Sequence, residues 1–284
     1  MSSSLVSVIV PVFNGVEFLG RAVESALSQT YEDVEIIVVN DGSTDGSADL
    51  AEGLKRADKR VRVVHQENRG LSAARNSGIR NAEGDFINFL DADDWLLPEK
   101  LHHQVRAFST ADRVGLVYSD YVKSDGGTEY PMQRGKPPIP FVDLFVYRNW
   151  FAPHVPLLRR RLVETVGDFD TKMRATEDRD YWYRCAQHTE FAYAPGVMAV
   201  YRIHGQQMTR DIDRMIKGQQ HFAAKHFGND RRRLRSSMSY HHLFMAKQYK
   251  GSGDCLRCAQ QLVGYMTSVN SIREARFVWT IASR

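Results

Sequence analysis

Short apolar runs and amphipathic runs alternate through about the first hundred residues of the chain. Leu5–Phe13, rich in Val and Ile, predicts a strand stopped at Pro11. Val16–Thr30 places Phe18, Leu19, Ala22, Val23, Ala26 and Leu27 on one helical stripe. Val34–Asn40 is a near-continuous apolar run, the pattern of a central parallel strand covered on both faces. It ends in Asn-Asp-Gly-Ser-Thr-Asp-Gly, a turn in which Ser43 and Thr44 are candidate caps for a helix reaching about Ala57. Val61–His65 predicts a third strand and Leu71–Asn81 a third helix, opened by Gly70. A fourth apolar run, Phe86 to Leu90, stops abruptly in Asp91, Asp93 and Asp94. Pro98 then suits the first position of a helix to about Thr110.

Alternating strands and helices predict a doubly wound, mostly parallel sheet flanked by helices. A dinucleotide fold of the usual kind is excluded, because Pro-Val-Phe-Asn-Gly rather than Gly-x-Gly-x-x-Gly follows the first strand. Gly115–Val122 reads as a further strand. Pro131–Pro140, with four prolines, reads as a loop, either a mobile flap or a plain connector. Short helices are expected over Phe141–Trp150 and Arg159–Val166. Thr176 is expected to cap a helix Glu177–His188, and Phe191–His204 to be extended with a turn at Pro195-Gly196. After Arg210 the pattern is helical. The chain therefore divides into 1–97, 98–209 and a C-terminal helical extension, 210–284.

Length and composition change this picture little: 284 residues with 43% hydrophobic content suffice for a sizeable core. No run has the length of a membrane-spanning helix, and the N-terminus has no basic region of a signal peptide. Three cysteines, Cys185, Cys255 and Cys258, fit a reducing, cytoplasmic location. Cys255-Leu-Arg-Cys258 lacks the second pair a structural zinc needs.

Charge changes it more. From Arg210 onward the chain holds 14 Lys/Arg against 5 Asp/Glu, while the preceding residues carry a net −5. Arg231-Arg-Arg-Leu-Arg235 with Lys225, Lys247, Lys250 and Arg257 predicts either a surface for an anionic membrane or polyanionic acceptor, or solvated helix faces. Nucleic acid is not expected, since no recognition fold accompanies the charge. The apolar finish Phe-Val-Trp-Thr-Ile-Ala-Ser-Arg suggests truncation or a homo-oligomer contact.

Three acids at the end of a buried strand need a positive partner, and a divalent metal with a phosphorylated ligand is the natural one. A solvated acidic turn is the alternative. A strand ending in Asp-x-Asp also marks aspartyl-nucleophile phosphatases, but those expect the motif near the first strand, not the fourth.

Four blocks in sequence resemble the inverting family-2 glycosyltransferases of GT-A fold: Val-Ser-Val-Ile-Val-Pro-Val-Phe-Asn, Val-Val-Asn-Asp-Gly-Ser-Thr-Asp, Asn-Arg-Gly-Leu-Ser-Ala-Ala-Arg-Asn-Ser-Gly and Phe-Leu-Asp-Ala-Asp-Asp-Trp. The likeness runs from about Leu5 to Thr209. It implies that Pro11, Val12, Phe13 and Asn14 surround the uracil or ribose, and that Asp41 accepts a base N–H, favouring a UDP-sugar donor. Without the resemblance Asp41 reads as a turn-former. Asn68 and Arg75 would reach the nucleotide and its diphosphate, although Arg75 also suits an exposed helix position. Asp91, with neighbouring Ala92, would hold the ribose or a metal-bound water. Asp93 would ligate Mn²⁺ or Mg²⁺, with His204 of Tyr-Arg-Ile-His-Gly as second ligand. Asp94 would hold a neighbouring basic side chain. Asp178 of Thr176-Glu-Asp matches the general base and Glu177 its neighbour; these acids would otherwise only complement a helix dipole. Trp182 and Tyr183 would stack an acceptor sugar or belong to the core. A non-catalytic sugar-nucleotide-binding scaffold is the remaining alternative.

Overall fold

The computed structural model describes residues 4–108, 112–205, 207–251, 253–269, 271, 274–275 and 278. The chain forms two units. The first takes Met1–Pro137, Phe151–Thr171 and Arg184–His204; the second takes Pro138–Trp150, Lys172–Tyr183 and Gly205–Arg284. The units thus interleave along the chain, whereas the division at 97 and 209 expected from sequence follows chain order.

In the first unit β1 (Val6–Val12), β2 (Val34–Asp41), β3 (Val61–Gln66) and β4 (Phe86–Phe89) run parallel in the spatial order β3-β2-β1-β4. Helices α1 (Val16–Leu27), α2 (Ser47–Ala57) and α3 (Leu71–Asn81) connect them. Val8, Ile9, Val10, Ile36, Ile37 and Val38 are wholly buried, which explains why the strands read as continuous apolar runs. A side chain at Gly78 of α3 would collide with Ile9, so this glycine lets the helix lie directly on β1.

The strand β1 does not stop at Pro11, which pairs with Val39. The Ile9 carbonyl accepts from Leu90, so odd positions of β1 address β4. The β4 ladder ends at Ile9–Phe89, so Pro11 points its missing N–H where no partner strand remains.

The sheet continues through β5 (Trp95–Leu96), β6 (Val114–Ser124), β7 (Glu129–Met132), β8 (Leu157–Arg159) and β9 (Glu190–Arg202). Beyond β4 the order is β8-β6-β9-β5, with β7 on β6. Here the pairs are antiparallel except β6 with β9. The expected turn at Pro195-Gly196 is instead a bulge inside β9, where the register slips between Tyr118–Tyr193 and Asp120–Val197.

Other expectations need correction. Ser43 and Thr44 do not cap α2, which starts at Ser47 after Gly46 with φ +88°. Pro98 precedes α4 (Lys100–Phe108) instead of opening it; its carbonyl accepts from Thr30, while Ser109 and Thr110 lie outside the described residues. The proline-rich loop begins as strand β7, and its next residues are strapped to β6. Arg134 N–H donates to Asp120, and Tyr118 Oη donates to the Gly135 carbonyl. Helix α6 (Arg160–Val166) follows β8.

The second unit is helical: α5 (Phe141–Tyr147), α7 (Glu177–Ala186) through Tyr183, α8 (Ile212–Phe227), α9 (Arg231–Gly251) and α10 (Cys255–Ser268). Thr176 does not cap α7 with its side chain. It has φ +62°, and its hydroxyl donates to the preceding carbonyl. Buried Arg179 donates to the carbonyls of Phe145 and Val146 at the end of α5 and lies 4.2 Å over Phe222. Burial draws its guanidinium down to about 9. Trp182 and Tyr183 are buried, Tyr183 against Phe222 and Phe227, so they are core residues and not a sugar platform. The three cysteines are unpaired with one another. No described helix is long and apolar enough to cross a membrane. The apolar finish at 277–284 lies, except for buried Val278, outside the described residues.

Candidate active site

Strands β1, β2 and β3 succeed one another outward, and the chain then returns to place β4 on the other side of β1. At such a reversal, outside the carboxyl ends of the strands, open α/β sheets bind ligands; here that edge lies beyond β1 and β4. Asp41 ends β2 at this edge, and Asn14 and Asp91 follow β1 and β4 there.

Loops at this edge are tied to each other. Asn14, at φ +52°, accepts from the Thr44 N–H and donates its own N–H to Ser43 Oγ. Gly15 N–H donates to Ser47 Oγ and Val16 N–H to Asp45. Phe13 projects from this loop 52% exposed, while Pro11 and Val12 remain buried in β1 behind it. Asp41 is buried, and its carboxylate accepts from Gln66 Nε2 at 2.6 Å and from the N–H groups of Arg69 and Gly70. It orders the loop that carries exposed Asn68. Gly42, at φ +74°, lies so close to that loop that a Cβ would sit 2.7 Å from Asn68 N.

The acids after β4 form a tight turn, closed by Asp94 N–H on the Asp91 carbonyl. Each carboxylate meets its own basic group. Arg75 is buried rather than exposed and donates from Nη2 to Asp91 Oδ1 at 2.6 Å. Asp93 Oδ2 lies 2.9 Å from His204 Nε2. Asp94 Oδ2 lies 2.7 Å from Nδ1 of His154, with both side chains buried. Burial pushes the Asp94 carboxyl up to about 6 against the pull of His154. Low dielectric makes an uncompensated acid costly, which bears hardest on buried Asp94; Asp91 and Asp93 are partly exposed.

Strand β9 brings His204 to the turn. Trp95 and Leu96 pair with Val200 and Ala199, Arg202 N–H donates to Asp94 Oδ1, and Arg202 Nε donates to the Asp93 carbonyl. The His204 ring lies 4.9 Å from Phe18, and the Arg202 guanidinium 4.9 Å from the same ring. Among the described residues no group of three or more His, Cys, Asp and Glu side chains is arranged to hold a metal.

Asp178 belongs to the second unit, in the first turn of α7, with Glu177 buried beside it. Asn149 Nδ2 donates to Asp178 Oδ2 at 2.6 Å, and the Arg179 N–H donates to Oδ1. Two positions later Asp180, fully buried, accepts from Lys225 at 2.8 Å and lies 2.7 Å from His226 Nε2.

His154, Arg202 and Asn149 are the contacts that the sequence pattern did not reveal. Arg202 stands in the same short block as His204, which was its available signal. His154 and Asn149 sit in segments without a motif.

A doubly wound sheet with an acid turn at the switch point is the architecture of GT-A glycosyltransferases, and solved structures agree. S. aureus TarS 1-349 in complex with UDP-GlcNAc matches with TM-score 0.71 at 16% identity, over 93% of this chain and 81% of that one. The mannosyltransferase PcManGT from Pyrobaculum calidifontis, in complex with GDP-Man and Mn²⁺, matches with TM-score 0.64 at 19% identity, over 100% of this chain and 81% of that one. By sequence, the profile of Glycosyl transferase family 2 matches residues 7–175. The chain belongs to that family. An uncharacterized glycosyltransferase of Rickettsia prowazekii is 33% identical over 214 residues, 73% of this chain and 66% of its own. A putative glycosyltransferase of Bacillus subtilis, EpsH, is 43% identical over 121 residues, 43% of this chain and 35% of its own. The chain spans from about a third to about two thirds of the length of these curated relatives.

Proposed function

We propose that this chain is an inverting glycosyltransferase. It moves a sugar from a nucleotide diphosphate-sugar, a UDP-sugar, to a hydroxyl of a glycan, lipid-linked or polyanionic acceptor. The observation that carries this reading is the acid turn at the switch point of the sheet, where Asp93 meets His204 and Asp91 meets Arg75.

Phe13 offers an exposed ring face to the base, and Asn14, Asp41 and Asn68 frame it with polar groups. A carboxylate has about four acceptor sites, and at Asp41 Gln66 of β3 takes one and the loop N–H groups two, which leaves one for a base N–H. Arg75 steadies Asp91 toward the ribose and adds positive charge on the diphosphate side. Asp93 and His204 supply a carboxylate oxygen and an imidazole nitrogen, both partly exposed, a donor pair that suits Mn²⁺ or Mg²⁺. When bound, such a metal supplies charge stabilisation to the departing diphosphate.

Inversion requires a carboxylate to take the acceptor hydroxyl's proton as that oxygen attacks opposite the leaving group. We assign this to Asp178, oriented by Asn149, with Glu177 as its neighbour. The basic segment after Arg210 is read as a peripheral contact with an anionic surface.

A thermal-shift screen of nucleotide sugars with and without Mn²⁺ tests the donor, since a ligand of the folded state raises the melting temperature. NMR of the product then reads the anomeric configuration. The expected result is a metal-dependent shift with a UDP-sugar and an inverted product. Retained configuration, or Asp93→Ala binding donor as the wild type does, would overturn the assignment. Donor binding without hydrolysis or transfer would favour the scaffold reading.

A further inference from the structure

Helix α10 packs the wrong way round for a helix of a water-facing surface. Its Leu256, Leu262, Val263 and Met266 are 72%, 41%, 55% and 64% exposed, and Cys255 and Ala259 are exposed with them. At about 100° per residue these six fall within one arc of about 120°. The side turned to α9 is the more polar one. Gln261 Oε1 lies 2.7 Å from His242 Nδ1, and a Cβ on Gly264 would sit 2.7 Å from the same imidazole. Single exposed apolar residues are ordinary, whereas a continuous stripe marks a surface that something covers.

The charge around the stripe identifies that occupant. Helices α9 and α10 contain no acid and seven Lys/Arg lie from Arg231 to Ser268; of these Arg233 pairs with Asp143 and Asp230, and Arg257 with Asp213 and Asp254. All seven are exposed, including Arg231–Arg233 at one end of the helical pair and Lys247, Lys250 and Arg257 toward the other. A second copy would bring the same positive field against itself, which disfavours it. At 14 residues α10 is too short to span a bilayer. An apolar stripe on a helical pair rich in Lys and Arg is the chemistry of an anionic lipid surface.

We propose that α10 is an interfacial helix whose outer stripe enters the headgroup–acyl boundary of an anionic membrane while the surrounding Lys and Arg engage the headgroups. The proposal rests on the reading of the basic segment given above and adds insertion to it.

The test uses the full chain and vesicles of phosphatidylcholine, with or without phosphatidylglycerol. Wild type is expected to sediment with the anionic vesicles and much less with the neutral ones. Val263→Asp with Met266→Asp should weaken that binding by about tenfold or more, while donor hydrolysis stays unchanged. Met266→Trp should shift its emission to the blue on anionic vesicles. Two results would overturn insertion: the double Asp variant binding as wild type does, or no blue shift from Met266→Trp. If Arg231→Glu with Arg232→Glu then abolishes binding where the α10 variant does not, charge alone docks the protein. A concentration-dependent dimer that Val263→Asp dissociates, with no vesicle binding, would also overturn the proposal and assign the stripe to a second copy.

Discussion

Two acidic clusters, one in each unit, handle their charge differently. After β4, Asp91, Asp93 and Asp94 are matched one by one to Arg75, His204 and His154. At the start of α7, Asp180 is matched to Lys225 and His226, while Asp178 takes the amide N–H of Asn149 and the backbone N–H of Arg179. A carboxylate held beside a basic side chain fixes a position or holds a ligand. In the proposed reaction Asp178 takes the acceptor's proton, and the Asn149 amide and the Arg179 N–H orient its two oxygens for that. Acids two positions apart in sequence thus have different neighbours: Lys225 and His226 at Asp180, Asn149 at Asp178.

The contrast is testable, beginning with the largest effect. Asp178→Asn should preserve donor binding by calorimetry and lower transfer by about two to four powers of ten. Near wild-type transfer would remove the distinction between the clusters. His154→Ala should lower the unfolding free energy by about 3–5 kcal/mol in urea titrations, because it leaves Asp94 buried without the group that compensates it. Asp180→Asn, whose partner Lys225 is already partly exposed, should cost less, about 1–3 kcal/mol, and leave donor affinity unchanged.

A buried cation beside a neutral amide is the opposite case, and its effect varies with pH. Lys100 is buried and donates to Gln104 Oε1 at 2.7 Å; burial draws its ammonium from 10.5 down to about 7. Between these values the unfolded chain holds a proton that the folded chain lacks, so this residue's contribution to stability rises with pH across that window and is lost as pH falls through it. Lys100→Met should therefore gain on the wild type most at pH 7 and progressively less toward pH 10, read as the difference between their urea midpoints.

Much of the first unit was legible along the chain. Strands β1 to β4 lie where apolar runs bounded by turn residues placed them, and α3 has the expected limits. The acid turn was visible because a buried strand cannot end in three carboxylates without cause. Arg75 was open to two readings, since helical spacing does not tell whether a basic side chain meets water or Asp91. Thr176 misled because a Thr before an acidic helix looks like a cap, and only its positive φ shows that it is not. The pairs that define the site, Asp93 with His204 and Asp94 with His154, join residues 111 and 60 positions apart.

The sequence by itself determined the parallel half of the sheet, the edge at which its acids emerge and the family to which the chain belongs. These follow from local periodicity and from short blocks whose residues act near one another along the chain. Only the tertiary structure decided which base answers each acid, that Trp182 and Tyr183 are core, and that α10 turns its apolar side outward. Those outcomes depend on desolvation and packing between segments distant in sequence, and periodicity carries no record of what a face will meet.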